Sequence, residues 1–101
     1  MGPKEIVRMI EKEIDGNWAI SNLHGCDLKE CLVRPKRRKL NLFDGSARDG
    51  YIVLEEYPET HEGYTIFFDE VSGCFGLAQS MGSRNYVLGF HDSFLAAFKA
   101  M

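Results

Sequence analysis

The sequence predicts a single α+β domain spanning residues 1–101: a mainly antiparallel sheet of about five strands, arranged as a meander, with an N-terminal and a C-terminal helix packed on it. Three observations predict this. Four apolar runs follow one another at residues 51–54, 64–68, 75–78 and 86–90, and turn residues fill the gaps: Pro58, then Ser72 and Gly73, then Gly82 and Ser83. Near the N-terminus Ile6, Ile10 and Ile14 recur every fourth residue, the spacing of one helix face. Near the C-terminus Phe94, Leu95, Phe98 and Met101 repeat that pattern behind a capping serine. A chain of 101 residues is the length of one domain and can bury a core without staples.

The first helix is expected over residues 3–15. Pro3 suits the first helical position, where its missing N–H has no partner in any case. The isoleucine stripe faces inward, Lys4, Glu5, Arg8, Glu11, Lys12 and Glu13 face water, and Gly16 is the stop. Trp18 and Ile20 follow at strand spacing, with Trp18 expected to anchor at the edge of the core. Asp27 to Glu30 has capping-box spacing and predicts a helical turn ahead of Cys31, ended by Pro35. Residues 36–43 read as an edge strand or an extended arm, and proline and lysines on an edge discourage sheet-to-sheet pairing. Asp44 to Gly50 is a loop with two Asp/Gly turn signals.

In the first meander strand, alternation places Ile52, Leu54 and Glu56 on one side and Tyr51, Val53, Glu55 and Tyr57 on the other. Residues 58–62 form an exposed loop. The next strand, residues 63–69, carries Tyr64, Ile66 and Phe68 on one face and Thr65 and Phe67 on the other, so it is central. Residues 69–73 are a hairpin turn with Gly73 left-handed. The strand over residues 74–80 is lightened by Gly76 and Ala78, positions a helix can approach. The last strand, residues 85–90, sets Tyr86, Leu88 and Phe90 on one face. Asp92 or Ser93 caps the closing helix, which is too short to stand alone and must dock on the sheet.

Composition narrows the function classes. Apolar residues are 45% and charged residues 27% of the chain, with both signs present, which excludes global disorder. No apolar run reaches the roughly 20 residues of a membrane span, and residues 1–5 show no signal-peptide core. Three cysteines, an odd count, point to free thiols and a cytoplasmic setting. The formal charge of −3 disfavours bulk nucleic-acid binding and leaves room for a local basic patch.

No catalytic or cofactor motif stands out, so a non-enzymatic protein without cofactor or metal is expected. His24, Cys26 and Cys31 are soft ligands of the types zinc takes, but their spacing lacks the paired Cys-x-x-Cys knuckle. Half-buried thiols beside a loop histidine are the simpler reading. His91, Asp92 and Ser93 have triad residue types, yet adjacent residues cannot fold into triad geometry, and they read as a helix start. The glycines around Cys74 lie between strands and open no helix, so they form no phosphate loop.

Charge is polarised along the chain. Five cations fall within residues 34–39: Arg34, Lys36, Arg37, Arg38 and Lys39. They suit a solvated strand or, as a second functional reading, a small nucleic-acid-binding module. Strand alternation splits them between two faces and no aromatic platform is interleaved. Residues 44–70 hold eight acids against the single base Arg48. Four of the acids, Glu55, Glu56, Glu59 and Glu62, crowd one hairpin together with Tyr57 and His61. These six residues are the expected contact surface for a protein partner with a basic surface.

The string Gly63–Glu70, then Phe75 to Ala78, and the close through Gly89, Phe90, an acidic cap and the helix from Phe94 to Met101 resemble the small bacterial immunity proteins of polymorphic toxin systems. The resemblance covers the C-terminal half. It implies an α+β cytoplasmic protein that neutralises a cognate toxin by occluding its active site. Many such toxins are nucleases with basic clefts, which an acidic hairpin would suit.

Overall fold

A computed structural model describes residues 2–22 and 25–101. The elements run α1 (Pro3–Ile14), α2 (Leu28–Cys31), β1 (Leu32–Asn41), β2 (Ala47–Tyr57), β3 (Glu62–Asp69), β4 (Cys74–Met81), β5 (Arg84–His91) and α3 (Phe94–Ala100). The five strands form the expected meander with the two terminal helices against it, an α+β fold, and the sheet closes into a barrel in the order β1-β2-β3-β4-β5. Consecutive pairs are antiparallel. An odd number of strands in a meander leaves the first and last running the same way, so the closing β1–β5 pair is parallel, with Asn41 opposite Tyr86. Side chains stitch this seam: Asn85 Nδ2 donates to the Lys39 carbonyl at 3.0 Å and Asn41 Nδ2 to the Asn85 carbonyl at 3.2 Å. Closure corrects the expectation for β1. It has a neighbour on each side and is no edge strand, because a long-range pairing abolishes the edge.

The barrel separates two apolar layers. Its lumen holds Leu40, Ile52, Phe67, Ala78 and Val87. Outside, Tyr51, Val53, Leu54, Ile66, Phe68, Phe75 and Leu77 meet Ile6, Ile10 and Ile14 of α1 and Phe94, Ala97 and Phe98 of α3. β3 feeds both layers, which is why both of its faces are apolar. Gly76 and Ala78 do not admit a helix, as the sequence suggested. They face the lumen, where the Phe67 ring fills the space a side chain at 76 would take.

Bulges set which residues reach which layer. Ile52 pairs with Phe67 and Leu54 with Ile66, so Val53 is an extra residue on β2. The predicted alternation therefore slips by one: Tyr51, Val53 and Leu54 all face the helices and Glu55 turns back to the lumen side, opposite Thr65. Leu88 is the extra residue on β5, which breaks the predicted Tyr86, Leu88, Phe90 face. At the ends of the helices, Asp15 and Gly16 share the left-handed stop of α1, and Ser93 caps α3 by accepting from Ala96 N at 3.1 Å. The Glu13 carboxylate of α1 accepts from Phe94 N and Leu95 N, both at 3.0 Å, and ties the two helices together. Asp27 caps α2 as its capping-box spacing indicated. Trp18 and Ile20 lie outside any strand and pack half-buried against the helix layer.

Candidate functional site

The hairpin joining β2 to β3 divides five of the six predicted contact residues between two clefts, and Glu62 lines neither. On one side Glu56, Tyr57, Pro58, Glu59 and Thr60 join Glu30 and Cys31 of α2 around a concavity of about 550 Å³. Its lining carries three carboxylates and no cation. Glu56 Oε1 accepts from Tyr64 N at 3.1 Å, which fixes that side chain along the hairpin. Tyr57 is 57% exposed, and Glu59 and Glu62 are exposed. The turn that builds this rim is compact: Thr60 N and His61 N both donate to the Tyr57 carbonyl, at 3.2 and 2.9 Å.

On the other side lies one mouth of the barrel, a cleft of about 330 Å³ lined by Lys36, Arg38, Ile52, Glu55, His61, Gly82, Ser83 and Asn85. The Val53 bulge delivers Glu55 here. It is 3% exposed, accepts a hydrogen bond from His61 Nδ1 at 2.5 Å, and has the Lys36 ammonium 2.9 Å from its second oxygen. That second oxygen makes an ion contact and receives no aligned hydrogen bond. Beneath it the lumen is polar and satisfied: Thr65 Oγ1 and Ser80 Oγ lie 2.6 Å apart, and Ser80 donates to Asn85 Oδ1 at 2.6 Å. His61 has a positive φ of 56°, an uncommon backbone for a residue with a Cβ, and its carbonyl accepts from Gly82 N at 3.2 Å.

The other end of the barrel is closed by charge. Arg48 Nη2 meets Asp69 Oδ2 at 2.6 Å, the Asp69 carboxylate is fully buried, and the guanidinium lies 5.8 Å from the Phe90 ring centroid. Asp69 also accepts from the Ser72 hydroxyl at 2.7 Å. The acids of residues 44–70 are therefore unequal: Asp69 is structural, Asp44 binds the Ser46 amide and hydroxyl, which hold its carboxyl below the usual range, and Glu70 pairs with Arg37 at 3.0 Å.

The basic run divides in the same way. Lys36 and Arg38 reach the mouth, while Arg37 pairs with Glu70 and sits 4.9 Å over the Tyr51 ring. Arg34 lines a separate groove against α1 with Pro3, Lys4, Val7, Arg8 and Glu11. Lys39 borders a neighbouring cleft with Asn41, Ser83, Arg84 and Tyr86. Arg84 and Asn85 were not singled out by sequence, and Ser83 was read only as a turn residue with Gly82.

Of the metal-candidate trio, His24 lies outside the described residues. Burial is the main cause that pushes the Cys26 and Cys31 thiols upward, Cys26 from 9.0 to about 11, and Cys31 Sγ donates to the Glu56 carbonyl at 3.8 Å. Cys26, Cys31 and Cys74 are free cysteines. Among the described residues no helix is long and apolar enough to cross a membrane. Comparison with protein families, curated proteins and solved structures finds no match for this chain.

Proposed function

We propose that the chain is a non-enzymatic protein-binding inhibitor, of the immunity type, which takes a basic surface of its partner against the acidic side of the β2–β3 hairpin. One observation carries this reading. Glu30, Glu56 and Glu59 line a single concavity whose wall includes the half-exposed Tyr57, with Glu62 exposed on the same hairpin. An aromatic wall beside three carboxylates suits a lysine or arginine side chain, since the ring face and the acids attract the same cation. Of the six residues expected to make this contact, Glu56, Tyr57 and Glu59 line the acidic concavity and Glu62 is exposed on the same hairpin. Glu55 and His61 bond each other at the barrel mouth and orient the hairpin from behind.

The test is affinity capture from the native host with the wild-type chain and with a Glu30→Lys/Glu59→Lys/Glu62→Lys variant, leaving buried Glu55 intact. The expected result is a basic protein retained by the wild type, lost by the variant, and inhibited when the wild type is added. Equal retention by the variant, or retention without inhibition, refutes the reading. A cooperative melting transition in the variant shows that the fold survives.

A further inference from the structure

The barrel mouth has no part in that contact surface, and its chemistry has the opposite sign. Lys36 and Arg38 line it, and Lys39 and Arg84 line the adjoining cleft, which shares Ser83. Against these four cations the two linings hold one carboxylate, Glu55, which is almost wholly buried. In a chain of net charge −3 this is a segregated positive patch.

Two features distinguish the mouth from a solvated strand end. The first is Glu55, a buried carboxylate that holds the Lys36 ammonium at 2.9 Å and the His61 ring at 2.5 Å and so fixes both at the cleft. The second is His61, held left-handed against steric preference with its ring fixed through Nδ1 by Glu55 and still 44% exposed. A ring oriented through one nitrogen presents the other as a directed polar group.

We infer that this mouth is a binding site for a phosphate group that carries a neighbouring hydroxyl, as in a nucleotide. Arg38 and Lys36 supply charge, with Arg38 able to engage two phosphate oxygens at once. His61 supplies a directed ring nitrogen, and the exposed Gly82–Ser83 turn borders the site. With Nδ1 donating to Glu55, the other ring nitrogen of His61 accepts from the ligand hydroxyl. Glu55 is thus a positioning residue for His61 and Lys36. Lys39, Arg84 and the partly exposed Tyr86 continue the surface along the β1–β5 seam, so a polynucleotide backbone and a free nucleotide are the two sources of such a phosphate. The site does not depend on the acidic cleft, and neither test bears on the other.

The experiment is an amide-resolved NMR titration at low salt with three probes: inorganic phosphate, adenosine monophosphate and a ten-nucleotide single-stranded RNA. Shifts centred on Gly82, Ser83, Asn85 and His61 are expected, with tighter binding of the nucleotide than of phosphate. A further affinity gain of at least tenfold for the RNA, with a log–log salt slope of about −2 to −3 for three to four neutralised phosphates, assigns the backbone as source. No such gain assigns the free nucleotide. Arg38→Gln, at an exposed position, should weaken binding at least tenfold, and so should His61→Gly, which removes the ring while relieving the left-handed backbone, a cooperative melting transition showing that the fold survives. No shift with any probe at 10 mM, shifts centred elsewhere, or binding unchanged in both variants overturns the inference.

Discussion

Replacing Gly76 by alanine tests whether the lumen is a packed core or a vacant cavity. A Cβ at position 76 would lie 2.2 Å from Phe67 Cζ and 2.7 Å from both Cε atoms. Carbon atoms settle at about 3.5–4.0 Å, so the ring must retreat by more than an ångström. It has nowhere to go, because Leu40, Ile52, Ala78 and Val87 around it are at most 3% exposed. Overpacking of this kind costs about 1–3 kcal/mol. The backbone at 76 is not left-handed, so alanine adds no strain there and restricts the unfolded chain, which offsets roughly 0.4–1 kcal/mol. The net expectation is a loss of about 1–2 kcal/mol, a fall in Tm of roughly 5–15 °C for a domain this size. Thermal and urea unfolding measure it, and a double-mutant cycle with Phe67→Leu isolates the clash. In the Phe67→Leu background Gly76→Ala should cost less than half as much. An unchanged Tm, or the same cost in both backgrounds, refutes the argument that Phe67 fills the lumen. A filled lumen matters for function, because ligands then have only the barrel's rim and outer surface to bind.

Two further outcomes follow from other contacts. Glu13→Ala removes both hydrogen bonds to the first amides of α3 and should cost about 2 kcal/mol by urea unfolding, with Glu13→Gln, which keeps an acceptor, costing about half as much. Burial raises the Cys26 thiol from 9.0 to about 11, so the folded state favours the neutral form, and that contribution is complete below pH 9 and lost as pH rises through 11. Stability measured from pH 8 to 11 should therefore fall more steeply in the wild type than in Cys26→Ala, and parallel curves would contradict the burial.

Much of the fold is legible locally. The isoleucine stripe of α1, the capping-box turn at Asp27, the serine cap of α3 and the left-handed Gly73 all act within a few residues, and each forms as its pattern indicates. β3 was legible as central because both its faces are apolar. The candidate site was legible only as composition: the acids and cations were visible, but not which of them share a cleft. Glu55 shows why. Its apolar neighbours Val53 and Leu54 read as consecutive alternating positions, and only the unpaired Val53 shifts the period and turns Glu55 inward. A bulge depends on the register with a partner strand, which no local pattern encodes.

The sequence by itself thus determined the element types, their order, most of the turns and the existence of two oppositely charged segments, because these follow from periodicity, caps and glycine conformations over short spans. Tertiary structure alone decided that the sheet closes, that β1 lies between two neighbours, and that Gly76 yields its space to Phe67 rather than to a helix. It also decided that the hairpin faces two ways, with Glu56 and Glu59 toward α2 and Glu55 and His61 toward the barrel mouth. Those outcomes rest on pairings between residues far apart in the chain, where the gain of closing the sheet and filling its lumen outweighs the preference of any single segment.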